Sequence, residues 1–291
     1  MLAASFSFDT NQAIVQGLVT VAKFDGKSPS LACGTSGGKV FVHSPHSSAS
    51  EPNILNINKT ITCLTSGRLD PGIENELLIV GSPNAIRVYN VDTNADLFYT
   101  EVADGVNCAI MEELNVNGIL TPLAVVGGNC SILGYDKAGE NSFWTVAGDN
   151  ISALSAGFVK NKRDLNLIAG SEDYAIQIFQ GEEMIYNIQE SSKPIAFTPI
   201  KLGRFAYALD NGNCGMYKRT KRAWRIKTKH KVLALENFDM TGDGIPETII
   251  AWSNGRFEVR RQTSGEILFK KLLKSQQIAG LVKADYRMDG T

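Results

Sequence analysis

A repeated hairpin constrains this chain more than any other feature. Its clearest copy is LIAGSEDYAIQIF, Leu167 to Phe179: an apolar run, a polar turn at Ser171 to Tyr174, then a second apolar run. Near-copies are SLACGTSGGKVFV (Ser30 to Val42), LLIVGSPNAIRVY (Leu77 to Tyr89), LAVVGGNCSILGY (Leu123 to Tyr135), FAYALDNGNCGMY (Phe205 to Tyr217) and TIIAWSNGRFEVR (Thr248 to Arg260). With Val40, Ile86, Ile132, Ile176, Gly215 and Phe257 taken as equivalent, the steps are 46, 46, 44, 39 and 42 residues. A period of roughly 40 to 45 residues holding several short strands is the spacing of propeller blades. One hairpin is marginal in water, so blades pack face to face in a ring that buries both faces and protects the edges.

An apolar strand precedes each hairpin, at Val19, Ile61, Val106, Ile151, Pro194 and Val232, and a seventh such opening, IAGLVKADY, starts at Ile278. The expected fold is all-β: a propeller of the seven-bladed type, with six complete blade repeats and an incomplete seventh, forming one domain over residues 1–291. Ser5 to Phe8 reads as a strand that would help close the ring, and the chain as the N-terminal part of a longer protein. Runs such as LLIVG, LAVVGG and TIIAW should be the strands covered on both faces, and the glycines should mark turns that need positive φ.

Composition narrows the class. The chain is 43% hydrophobic and 20% charged, with a net charge of −1. Its first residues carry no basic segment or long apolar core, so no signal peptide is expected. The five cysteines (Cys33, Cys63, Cys108, Cys130, Cys214) are odd in number and widely spaced, which fits free thiols in a reducing, cytoplasmic setting. His43 and His46 frame a Ser-rich connection from Ser44 to Asn53 and read as loop histidines, since no third metal ligand is near in sequence.

Two segments carry candidate sites. KRTKRAWRIKTKHK holds eight bases and no acid: Lys218, Arg219, Lys221, Arg222, Arg225, Lys227, Lys229 and Lys231. The remainder of the chain then has 21 bases against 30 acids. Either this is a solvated outer strand kept soluble by charge, or it contacts anionic lipid headgroups or an acidic partner. Nucleic acid is not expected, because one basic hairpin on an acidic domain is a weak footprint. The second segment, Asp239-Met-Thr241-Gly-Asp243-Gly-Ile245-Pro-Glu247, sets oxygens at loop positions 1, 3, 5, 7 and 9 as one calcium ion requires. It also reads as a metal-free turn, since carboxylates ~4 Å apart in water repel by only about 1 kcal/mol. No histidine pairs with a Ser or Cys in a nucleophile motif, and no Gly-rich phosphate loop precedes a helix.

Several stretches together are similar to one family. DLFYTEVADGVN (Asp96 to Asn107), FWTVAGDN (Phe143 to Asn150), GSEDYAIQIF (Gly170 to Phe179), RFAYALDNG (Arg204 to Gly212), WRIKTK (Trp224 to Lys229), WSNGRFEV (Trp252 to Val259) and AGLVKADYRMDG (Ala279 to Gly290) resemble the N-terminal propeller of the Bardet-Biedl syndrome protein 2 family, subunits of the BBSome. The resemblance covers nearly the whole chain. It implies a non-enzymatic scaffold in an adaptor that moves membrane proteins into and out of cilia with intraflagellar transport, at the cytoplasm, basal body and cilium membrane. Implied partners are other BBSome subunits, chiefly Bardet-Biedl syndrome protein 7, and possible contacts are ciliary membrane cargo or an anionic membrane surface. The fourth-unit turn, Phe158 to Lys162, lacks the acidic pattern of relatives, which counts against calcium there. The alternative from another class is a calcium-binding extracellular propeller of the adhesion type, which would need paired cysteines and several acidic loops.

Overall fold

A computed structural model describes residues 6–7, 9–47, 52–161, 164–200, 203–273 and 278–288. Every regular element among them is a strand, and the strands form six four-stranded antiparallel sheets. Blade one holds β1 (Ile14–Ala22), β2 (Ser30–Thr35), β3 (Lys39–His43) and β4 (Asn53–Asn56). Blade two holds β5 (Cys63–Gly67), β6 (Leu77–Ser82), β7 (Ala85–Asn90) and β8 (Ala95–Glu101). Blade three consists of β9 (Cys108–Val116), β10 (Ile119–Gly127), β11 (Ser131–Tyr135) and β12 (Asn141–Val146). In blade four come β13 (Ile151–Gly157), β14 (Asn166–Ser171), β15 (Ala175–Gln180) and β16 (Glu183–Gln189). Blade five has β17 (Pro194–Ile200), β18 (Arg204–Leu209), β19 (Cys214–Lys218) and β20 (Lys221–Ile226), and blade six β21 (Val232–Phe238), β22 (Glu247–Trp252), β23 (Arg256–Arg260) and β24 (Ile267–Leu272).

The register confirms the repeat and corrects one member. Gly34, Gly81, Gly127 and Gly170 pair with Val40, Ile86, Ile132 and Ile176. In blades five and six the same pairing joins Ala208 to Cys214 and Ala251 to Phe257. The equivalent residue in blade five is therefore Cys214, not Gly215. Gly215 answers to a different need, since a Cβ there would stand 3.0 Å from the hydroxyl of Tyr207.

Burial follows the position of each strand in its blade. The second strands β6, β14 and β22 are buried along their whole length, whereas the innermost strands border the central channel and are only partly covered. LLIVG and TIIAW thus lie one strand out from the channel. Their side chains alternate between the two faces of a blade, and each face meets a neighbour. Ile79, Ile86 and Val88 of blade two pack with Met111, Ala124 and Val126 of blade three. Leu123, Val125 and Phe143 meet Leu154, Leu167 and Phe179 across the next seam, and Ile168 and Ile178 meet Phe205 and Tyr207 across the one after. At Gly127 and Gly170 the recurring glycine serves this packing. Gly34, Gly81, Gly127 and Gly170 sit in strands without positive φ, contrary to the expectation that glycines mark turns; at Gly170 a Cβ would stand 2.6 Å from Cβ of Pro194 in the next blade.

Two expectations about ring closure change. The opening at Ile278 forms no strand. Its described residues run irregularly between blades one and six, where Ala279 accepts a hydrogen bond from the Gly17 amide at 2.8 Å. Among the described residues no strand pairs with it, so it has no ladder to join. Among the described residues, Leu281 packs over Ile249, Phe257 and Val259 of blade six; the Gln16 side chain reaches the Leu233 carbonyl at 3.2 Å to link blades one and six directly. The seventh blade is not seen. Of Ser5 to Phe8, only Phe6 and Ser7 lie among the described residues, and neither is in a strand. The Phe6 ring packs on His43 and Tyr286, and His46 Nε2 lies 2.7 Å from the Tyr286 carbonyl. The Ser-rich connection lies partly outside the described residues, at 48–51.

Candidate functional site

The basic run does not form one patch. Its centre is β20, the outer strand of blade five, as its alternation predicts. In an up-and-down blade, successive turns fall on opposite ends. Lys218, Arg219 and Lys221 flank the β19–β20 turn, whereas Lys227, Lys229 and Lys231 lie in the connection to β21, separated by about 20 Å of strand. The two central arginines reach back to blade four. Arg222 bonds the wholly buried Glu190 carboxylate of blade four at 2.8 Å and the Tyr217 hydroxyl at 3.0 Å, and Arg225 bonds Ser191 Oγ at 2.7 Å. Lys231 pairs with Asp210 at 3.3 Å, a contact exposed on both sides. Lys218, Arg219, Lys221, Lys227 and Lys229 are exposed.

The Asp239–Glu247 turn joins β21 to β22 and holds itself together. Asp239 Oδ1 accepts the amides of Gly242 and Asp243 at 2.8 and 3.2 Å, and its Oδ2 accepts Gly244 at 2.7 Å. Asp243 accepts the Ile245 amide at 2.8 Å. Glu247 is buried and accepts the Met240 amide at 2.9 Å and the Thr241 hydroxyl at 3.2 Å. Gly242 and Gly244, both with positive φ, let the chain wrap the Asp239 carboxylate. As it stands, this loop is organised by its own hydrogen bonds. The oxygens of Asp239, Asp243 and Glu247 accept backbone amides and the Thr241 hydroxyl, and among the described residues no three His, Cys, Asp or Glu side chains gather as a metal-holding group.

Comparison with known proteins decides the family. The description "Ciliary BBSome complex subunit 2, N-terminal" matches residues 20–112, and "Ciliary BBSome complex subunit 2, middle region" matches residues 153–260. BBSome complex member BBS2 of Danio rerio is 39% identical over 305 residues, and that of Homo sapiens 38% over 304, each alignment covering 100% of this chain. The chain belongs to the BBSome subunit 2 family. It spans 42% of the length of those relatives. Two crystal structures of BBS1N in complex with ARL6DN are similar in fold: TM-scores are 0.75 and 0.73 at 13% and 15% identity, over 92% and 90% of this chain and 86% and 82% of those.

The central channel of this BBSome subunit 2 family member is bordered by the innermost strands of all six blades, with Gln16, Thr62, Asn107 and Ser152 among the polar groups. Its described lining includes no carboxylate, imidazole or amine; the titratable groups there are Cys63 and Cys108. Burial pushes the Cys63 thiol up to about 12 and Cys108 higher still, so both stay protonated. All five cysteines are free, and Cys33 and Cys214 are likewise raised by burial, to about 11 and about 12.

Sequence reasoning missed two features. The Glu190–Tyr217–Arg222 cluster joins residues 27 and 32 positions apart, and no local pattern marks such a pairing. The long hairpin of blade three was signalled by Asn117-Gly118 between apolar residues, the dipeptide of a two-residue hairpin turn.

Proposed function

We propose that this propeller is a non-enzymatic scaffold domain of the BBSome, acting in the transport of membrane proteins to and from the cilium. The observation that carries this reading is the 38–39% identity to BBSome members along the entire chain. A channel bordered by protonated thiols and neutral polar groups offers no acid–base pair and supports a role in contact rather than turnover. Its partners are other BBSome subunits, Bardet-Biedl syndrome protein 7 chief among them, at the basal body, the cytoplasm and the cilium membrane. The exposed bases at either end of β20 offer contacts for an acidic partner or anionic lipid. An extracellular calcium-bound adhesion propeller gains no support from the family match or from the self-bonded Asp239 turn. Affinity isolation of the full-length protein from ciliated cells tests the reading: co-recovery of BBSome subunits is expected, and recovery without any of them would sink it.

We also infer a ring of the seven-bladed type, with the segment from Ile278 as the innermost element of the last blade. The thin cover over Ile249, Phe257 and Val259 supports this. So does the half-exposed Phe269 on the same face of β24. A longer chain carrying roughly one further blade should melt higher; an unchanged melting temperature would argue against it.

A further inference from the structure

The inner hairpin of blade three is longer than its counterparts. β9 and β10 each run nine residues, and their turn, Asn117-Gly118, has positive φ at both positions, 52° and 87°. That turn matches strand twist and projects the tip rigidly, helped by a 2.8 Å hydrogen bond from the Gly118 amide to the Asn115 side chain. The tip carries Ile119 and Leu120, exposed by 69% and 60% on opposite faces of the hairpin. No other large apolar side chain among the described residues is as exposed.

Among the described residues, acids cluster near the tip. Glu112 and Glu113 stand on β9, Glu182 in the β15–β16 turn and Glu183 at the start of β16, and that turn with the tip encloses a groove of about 400 Å³. Crowding by protein and by Glu113 pushes the Glu112 carboxyl up to about 6. Two described bases are already engaged elsewhere: Lys160 bonds Gln180 at 2.7 Å and Lys137 pairs with Asp70 at 2.8 Å.

We propose that this hairpin is a docking finger whose Ile119 and Leu120 enter an apolar recess on a partner protein rimmed by lysine or arginine. The proposal rests on the BBSome reading, and the partner is sought among the subunits that co-purify with the full-length protein. A preformed finger loses little freedom on binding, so two apolar residues can act as the central anchors.

The test uses full-length protein in ciliated cells with three variants: Ile119→Asp/Leu120→Asp, Glu182→Lys/Glu183→Lys, and Ile54→Asp as a control at a half-exposed residue of blade one. The tip variant should cut recovery of at least one subunit by about tenfold or more, and the charge reversal should cut recovery of that same subunit and flatten its salt dependence. The control should behave as wild type. Wild-type recovery of every subunit by the tip variant would overturn the finger. Loss of self-association in the tip variant, read by light scattering, would overturn it in favour of a second copy as occupant. If wild-type protein recovers no BBSome subunit, the broader reading fails first and the finger falls with it.

Discussion

Glu190 shows how one residue can tie two blades. Its carboxylate is wholly buried and held by the hydroxyl of Tyr217 and the guanidinium of Arg222 from blade five. Burial alone would raise its pKa, but those bonds and the Arg222 charge outweigh burial and hold it below 4.5. A lowered folded pKa stabilises above the unfolded value, and that contribution is lost as pH falls below about 4.3 and on through the folded value. Tyr217 does the opposite. Burial and the hydrogen bond to Glu190 push it up to about 12, so its contribution is whole below about 10 and lost as pH rises through 12. Glu190→Gln should cost about 2 kcal/mol in urea unfolding at neutral pH, because Arg222 keeps some solvent contact. That loss should shrink below pH 4; a cost independent of pH would refute the network. Gly170→Ala should cost about 1–3 kcal/mol, since the new Cβ meets Pro194 and the Phe197 ring of the adjoining blade. Gly242→Ala, with open space but a φ of 72°, should cost about 1 kcal/mol by comparison.

Strands impose a geometry that a charge count cannot see. Eight bases in fourteen residues look like one patch, yet β20 carries them from one end of the propeller to the other and turns Arg222 and Arg225 back to blade four. A flat membrane can meet only one end at a time. Lys218→Glu/Arg219→Glu and Lys227→Glu/Lys229→Glu should therefore differ in their effect on binding to anionic vesicles, with one pair abolishing it and the other leaving it intact; equal partial losses would contradict this. The β21–β22 turn makes a parallel case. Its spacing suits calcium, but the amides of its glycines reach Asp239 first. Calcium titration should release no heat, and chelator should leave the melting temperature unchanged.

At the scale of the ring, the seams are unequal. Those between blades two and three and between three and four each bury a dozen apolar side chains, whereas the face of blade six toward blade one buries Ile249, Phe257 and Val259 with Leu281 over them. Local opening follows the weakest packing. Native-state hydrogen exchange should find blades one and six opening at lower free energy than blades three and four, and uniform protection around the ring would refute this.

The repeat, the blade count in hand and the strand class were legible in the sequence, because periodicity follows from which side chains must leave water and every blade meets the same demand. The family was legible from joint matches such as Gly170 to Phe179. Local pattern also placed β20 on a blade's outer edge. What it could not place was what the tertiary packing sets: that Cys214 rather than Gly215 continues the repeat, that Glu190 claims Arg222, that Gly127 and Gly170 admit a neighbouring blade, and that the opening at Ile278 joins no strand. Those outcomes depend on side chains brought together from distant parts of the chain, and only the closed packing of sheet against sheet decides them.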